Sequence, residues 1–214
     1  MFLAEKGLLD GGGESAEGSV VELVEVDLRK GEHFEREFLA RNPDGFLPCL
    51  ELDDGRCISE SVAICRYFEA LHPEPPLFGG DAVAQGLVEM WTRRIEQQLY
   101  LPTQEFYRNG HPAFVGRGWP GSRGAGSGYE VQQVEGLVER SAAMFERTLG
   151  RLETQLEGTG AFVVGAEISM ADIMLRTTLD FARRVRVPSA QELASHRALS
   201  AWYERMSERP SAGV

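Results

Sequence analysis

Asn42-Pro43-Asp44-Gly45-Phe46-Leu47-Pro48-Cys49-Leu50-Glu51-Leu52-Asp53-Asp54-Gly55-Arg56-Cys57-Ile58-Ser59-Glu60-Ser61-Val62-Ala63-Ile64-Cys65-Arg66-Tyr67-Phe68 is the stretch that decides the fold of this 214-residue chain. Two short runs, Leu47 to Leu52 and Arg56 to Ile58, flank Asp53-Asp54-Gly55. Asp-Gly between such runs signals a hairpin, because glycine takes the positive φ of the turn at no steric cost. From Ser59 a helix runs to about Leu71. Its Ile64, Tyr67, Phe68 and Leu71 fall at i, i+3, i+4 and i+7, which makes one apolar face.

Polar chemistry lies at two places in this stretch. Leu47-Pro48 brings a loop into a strand. Proline has no N–H for a ladder and sits at a strand start or edge, and the arrival from Asn42-Pro43-Asp44-Gly45 suits a cis X–Pro bond. Either this is a plain strand start, or the Leu47 N–H and C=O stay unpaired and accept a peptide as an added strand. Ser59-Glu60-Ser61 then opens the helix. A helix N-terminus offers free N–H groups and a partial positive charge to a carboxylate. Ser61 adds a hydroxyl and Glu60 an anion for an ammonium, which together match the zwitterionic head of an amino acid. Simple helix capping by Ser59 or Ser61 is the other reading.

Outward from this stretch the chain is an α/β piece followed by helices. Met1 to Leu9 reads as a helix end closed by Gly7, residues 10–18 as a glycine-rich loop, Val20 to Val26 as a strand, and Glu32 to Leu39 as a short helix. His72-Pro73-Glu74-Pro75-Pro76-Leu77-Phe78-Gly79-Gly80 holds three prolines and two glycines, the strongest boundary signal in the chain. We therefore expect domains at 1–72 and 81–214, joined by a linker at 73–80. Beyond it, Leu87, Trp91, Ile95 and Leu99 step by four through one long helix. Val138, Ala142, Phe145, Leu149, Leu152 and Leu156 mark a second, and helices near 169–185 and 197–208 follow. Gly116-Arg117-Gly118-Trp119-Pro120-Gly121 spells a dinucleotide fingerprint, but without a strand before or a helix after it the segment reads as a flexible loop.

Composition narrows the function classes. Hydrophobic residues are 43% of the chain and charged residues 26%, an ordinary globular balance. With 22 Lys and Arg against 33 Asp and Glu, the formal charge is −11, which sets the chain against nucleic acid as a partner. No run of 18 apolar residues is present, so no membrane partner is expected, and the N-terminus lacks a secretion signal. Cys49, Cys57 and Cys65 are odd in number and fit no zinc spacing. They read as buried thiols in a reducing compartment, and a cytoplasmic location follows. His33, His72, His111 and His196 show no metal spacing, so no metal site is expected.

The order Asn-Pro-Asp-Gly-Phe-Leu-Pro-Cys-Leu, Asp-Gly, Glu-Ser-Val-Ala-Ile-Cys-Arg-Tyr over 42–67 resembles the N-terminal half of cytosolic glutathione transferases. Ile168-Ser169-Met170-Ala171-Asp172-Ile173 resembles the start of that family's sixth helix, with a capping box between Ser169 and Asp172 and a staple from Ile168 to Ile173. The likeness covers the whole chain and is nearest to bacterial-type members. It implies a thioredoxin-like N-terminal domain and an all-helical C-terminal domain. It implies glutathione as co-substrate, with its cysteinyl part on Leu47 and Pro48 and its γ-glutamyl end on Glu60 and Ser61. His33, in Gly31-Glu32-His33, is a candidate for the glycine carboxylate, a lone surface histidine being the other reading. The second substrate is a small hydrophobic electrophile between the domains, near the family's fourth helix. Tyr100, Phe106 and Tyr107 are candidates for that wall, with core packing as the other role. A homodimer is expected from the resemblance.

Family members begin with a strand and a loop that carries the activating Ser, Tyr or Cys, followed by a helix ending in something like Phe-Leu-Ala-Glu-Lys-Gly. This sequence starts at Met1-Phe2-Leu3-Ala4-Glu5-Lys6-Gly7, so the expectation is a chain lacking that first strand and loop, with no catalytic residue assigned. Lys6 is the only cation of 1–9, and Ser15 and Ser19 lie in the loop that follows. The alternatives are a non-catalytic glutathione- or partner-binding protein, and a glutathione-dependent thiol reductase.

Overall fold

In the computed structural model, which describes residues 1–9, 21–122 and 128–213, Asp53-Asp54-Gly55 closes the expected hairpin. β1 (Cys49–Glu51) and β2 (Cys57–Ser59) pair antiparallel, with Cys49 opposite Ser59, Leu50 opposite Ile58 and Glu51 opposite Cys57. Gly55 stands at φ 81°. Its N–H reaches the Leu52 carbonyl at 2.8 Å, and the Leu52 N–H reaches Arg56 at 2.8 Å. The chain falls into two units, Met1–Pro76 and Leu77–Ala212.

Among the described residues, the first unit holds the hairpin and the α-helices α1 (Phe2–Glu5), α2 (Arg36–Arg41) and α3 (Ser61–Leu71). Phe2, Leu8 and Phe68 are its buried apolar side chains. Lys6 is part of the same interior. Its side chain is fully buried, 2.6 Å from Glu69 and 2.8 Å from the His72 carbonyl. The cation near the end of α1 thus ties this segment to the C-terminal end of α3. The helix expected over 32–39 divides at Glu35, whose ψ of 151° is extended, into a 3₁₀ turn at Glu32–Phe34 and α2. The strand expected over 20–26 does not form where the structure describes it, and residues 22–27 carry no regular element. β-branched composition favours a strand only where a ladder neighbour exists, and the described sheet is β1 and β2 paired with each other.

The long elements described in the second unit are all helices: α4 (Ala82–Ile95), α5 (Leu101–Gly110), α6 (Glu135–Thr159), α7 (Met170–Arg184), α8 (Pro188–Gln191) and α9 (Arg197–Ser207). Between α4 and α5 the helix widens into a π turn over Glu96–Tyr100. A step of four on a 3.6-residue helix drifts about 40° per step. Leu87 is accordingly exposed, while Trp91, Ile95 and Leu99 are buried. The wider turn takes up part of that drift and keeps Leu99 inside. Ile95, Leu99, Phe145, Leu149, Leu152, Leu175, Leu179 and Trp202 form the core, each contributing about 1.5–3 kcal/mol by leaving water.

Two expectations about polar motifs resolve here. The capping box at the start of α7 forms as read. Asp172, fully buried, accepts from the Ser169 N–H at 3.0 Å, the Ser169 hydroxyl at 2.8 Å, the Val163 N–H at 2.8 Å and the Trp202 indole at 2.9 Å. The glycine-rich segment from Gly116 is not a loose loop. Gly118 N–H bonds the Val131 carbonyl at 2.8 Å and Val131 N–H bonds Gly116 at 3.1 Å. A Cβ on Gly118 would meet the Gln132 carbonyl oxygen at 2.7 Å, so close approach of backbone explains that glycine.

Candidate functional site

The first unit builds its site at one end of the hairpin. Asn42, buried at the end of α2, donates its side-chain amide to the Phe46 carbonyl at 2.6 Å and accepts the Gly45 N–H at 3.0 Å. Gly45 has φ 65°, and a Cβ there would stand 2.9 Å from the His33 carbonyl and 3.1 Å from the Phe34 ring. Glycine is required twice over, by conformation and by space. This seats the 3₁₀ turn carrying His33 against the loop that leads into Leu47-Pro48.

The Leu47–Pro48 bond is cis. Leu47 and Pro48 are exposed. Among the described residues neither the N–H nor the C=O of Leu47 has a hydrogen-bond partner. The ladder ends at the Cys49–Ser59 pair, so the next positions out are Pro48 on one side and Glu60 on the other. Leu47 and Ser61 follow.

Glu60 leaves the ladder at φ 71°, ψ 115° and serves as the N-cap of α3. For a residue with a Cβ this backbone is strained by about 1–3 kcal/mol. No side chain caps the helix. The first intrahelical bond runs from Ile64 N–H to the Glu60 carbonyl at 3.0 Å. The amides of Ser61, Val62 and Ala63 precede it, and both Glu60 and Ser61 are exposed. The capping reading of Ser59 and Ser61 is thereby set aside. The site is a row of open donors and acceptors around one strained residue, and its chemistry suits an extended peptide-like ligand with a charged amino-acid head.

His33 is buried rather than a surface residue, its ring centroid 3.9 Å from that of Phe34. Of the three aromatic candidates, two come together. Tyr100 and Tyr107 stand 6.3 and 6.1 Å from Phe181 of α7, and Tyr107 also packs edge-on against Phe114 at 4.9 Å. Phe106 is half-buried, and as the direct neighbour of Tyr107 on a helix it points elsewhere.

Two of the three cysteines, Cys49 and Cys65, are disfavoured as thiolates. Burial pushes the Cys65 thiol up to about 12, and burial with the neighbouring Cys57 pushes Cys49 upward. All three are free thiols. Ser15 and Ser19 lie outside the described residues, and Met1 to Leu9 contain no hydroxyl or thiol side chain. Among the described residues no cluster of three metal-ligating side chains occurs, and no helix is long and apolar enough to cross a membrane.

The sequence singled out Leu47, Pro48, Glu60 and Ser61, which the structure leaves exposed at one end of the hairpin, but it did not anticipate two features around them. One is the Gly45 contact with His33. The other is the Glu60 backbone, for which no composition signal exists, since glutamate is not a residue of left-handed conformations.

Comparison with known proteins places these features in a family. The family model for the glutathione S-transferase N-terminal domain matches residues 1–71, and that for the glutathione S-transferase C-terminal domain matches 135–205. The chain is 36% identical over 211 residues to glutathione S-transferase 2 of Saccharomyces cerevisiae, covering 98% of this chain and 79% of that protein. The crystal structure of Gtt2 from Saccharomyces cerevisiae aligns with TM-score 0.77 and 33% identity, over 99% of this chain and 90% of that one. A glutathione S-transferase domain-containing protein of Marinobacter aquaeolei aligns with TM-score 0.77 and 28% identity, over 99% and 91%. The first unit is therefore a thioredoxin-like domain with a short two-strand sheet, the second is an all-helical domain, and the chain belongs to the glutathione S-transferase family.

Proposed function

We propose that the chain binds glutathione and transfers its thiol to a small hydrophobic electrophile. The observation that carries this reading is Glu60, held at φ 71° immediately before the open N-terminus of α3. Strain of this kind persists where a ligand site requires it. The γ-glutamyl carboxylate lies on the Ser61 hydroxyl and the first amides of α3, and its ammonium on Glu60. The cysteinyl backbone pairs with Leu47 beside Pro48. His33 is assigned the glycine carboxylate, reached through a side chain that is buried in the free protein. Tyr100 and Tyr107, which meet at Phe181, are assigned to the electrophile. Transfer needs a donor that stabilises the glutathione thiolate, and no described residue is assigned that role. The reading carries with it a homodimeric, cytoplasmic protein, as is common for this family.

Calorimetric titration with glutathione tests the assignment. Ser61→Ala weakens binding by about 1–3 kcal/mol, the range for a hydrogen bond to a charged group. Its stability stays within about 0.5 kcal/mol of the parent, because Ser61 caps nothing. Equal affinity for glutathione in parent and variant overturns the role of Ser61. Conjugation of a general aromatic electrophile then distinguishes transfer from binding alone.

A further inference from the structure

The hairpin carries two thiols on one face. Directly opposed residues of an antiparallel pair point the same way, and alternate residues of a strand share a face. Cys49 stands opposite Ser59 and Glu51 opposite Cys57. Cys49, Glu51, Cys57 and Ser59 therefore share one face, and Leu50 and Ile58 take the other. Cys49 and Cys57 are diagonal neighbours, a relation that spans about 7–8 Å and lies within reach of side chains that lean together. These two lean together: Cys57 shares a side-chain hydrogen bond with Cys49. Both are free thiols and half-buried.

The same face is open and carries a cation. Arg41, at the end of α2, holds Glu51 at 2.8 Å, and both side chains are about half exposed. The Arg41 guanidinium is near enough to Cys49 to oppose the rise that burial imposes on it, and Cys57 is among the groups that raise Arg41. A cation beside two thiols eases the loss of their protons to an incoming centre.

Two neighbouring sulfurs without further ligands narrow what can bind. Among the described residues no three metal-ligating side chains converge, which sets the pair against a structural zinc with its four ligands. A direct disulfide wants Cα atoms within about 7 Å, at the short edge of the diagonal spacing. A single soft atom between the sulfurs lengthens the bridge, and soft centres prefer sulfur ligands.

We propose that Cys49 and Cys57 form a dithiol binding site for a trivalent arsenical. Two S–H bonds and the As=O bond of the arsenical break, and two As–S bonds form. The two protons leave with the oxygen as water, and nothing is oxidised or reduced. Cys65 lies on α3 and takes no part.

The probe is phenylarsine oxide, added to the reduced protein without glutathione, so the result stands apart from the transfer reading. Mass spectrometry of the intact chain is expected to show one arsenic per chain, retained in the presence of millimolar 2-mercaptoethanol. Joining two ligands makes the second bond intramolecular, so Cys49→Ala or Cys57→Ala weakens binding by about a hundredfold. Cys65→Ala binds as the parent does. Loss of the arsenic to the monothiol in the parent, or unchanged affinity in Cys49→Ala or Cys57→Ala, overturns the proposal. So does lost affinity in a Cys65→Ala chain that keeps the parent's circular dichroism. The monothiol competition uses the parent alone, so a poorly folded variant does not shield the proposal from refutation.

Discussion

Two helices of this protein begin with closely similar polar residues and use them in opposite ways. At α7, Ser169 and Asp172 are buried and every acceptor of the carboxylate is occupied, two of its four donors coming from Val163 and Trp202, outside the capping box. At α3, Ser59-Glu60-Ser61 provides the same chemistry in solvent, with no side-chain cap and a left-handed Glu60. Satisfied polar groups in a core fix one packing arrangement. Open ones beside a strained backbone are available to a ligand, and the fold tolerates them because the hairpin and α3 hold the chain on either side.

The contrast is broken most directly at α7. Asp172→Ala strands the Trp202 indole and the Val163 amide in the core, and we expect a loss of about 3–5 kcal/mol in urea or thermal unfolding. A loss below about 1 kcal/mol would mean that water replaces the carboxylate and that the box is not a core tie. Within the first unit, Lys6→Met tests whether a satisfied polar group is structural there too. It removes the Lys6 ammonium from Glu69. Glu69 is only partly buried, so the cost is about 2–3 kcal/mol, less than the 3–5 of a fully buried broken pair. Lys6→Met with unchanged stability and altered glutathione affinity would instead draw Lys6 into the site.

Much of this contrast was legible in the sequence, and for definite reasons. Asp53-Asp54-Gly55, Leu47-Pro48 and Ser169 with Asp172 are local signals whose physics needs no distant partner. The apolar steps of α6 gave its buried Phe145, Leu149, Leu152 and Leu156 on the same basis. What depended on a neighbour was lost. Val21 to Val26 has strand composition, yet the described sheet does not include it. The burial of Lys6 depends on Glu69 and the His72 carbonyl, which are distant in sequence. The need for glycine at position 45 depends on the approach of His33 and Phe34. Pattern reports which face of an element is apolar, but not what arrives to cover it. The candidate site shows both cases: Ser61 and Leu47 were singled out from local chemistry, whereas the strain at Glu60 contradicts residue preference and leaves no trace in composition.

The smallest expected effect is also the sharpest, because it has the opposite sign. Glu60 at φ 71° is strained by its Cβ, so Glu60→Gly relieves the backbone. The gain is partly offset by the freedom glycine adds to the unfolded chain, leaving a net stabilisation of about 1 kcal/mol or less. Glu60→Ala keeps the Cβ and removes only the carboxylate, so its stability matches the parent. Both variants lose the anion assigned to the glutathione ammonium, and both weaken glutathione binding in calorimetry. Glycine and alanine thus separate strain from charge: stability distinguishes the two variants, while loss of affinity is common to them. If Glu60→Gly unfolds at lower urea than the parent, the glutamate side chain supports the fold. The start of α3 would then resemble the start of α7, and the difference between the two helices would collapse.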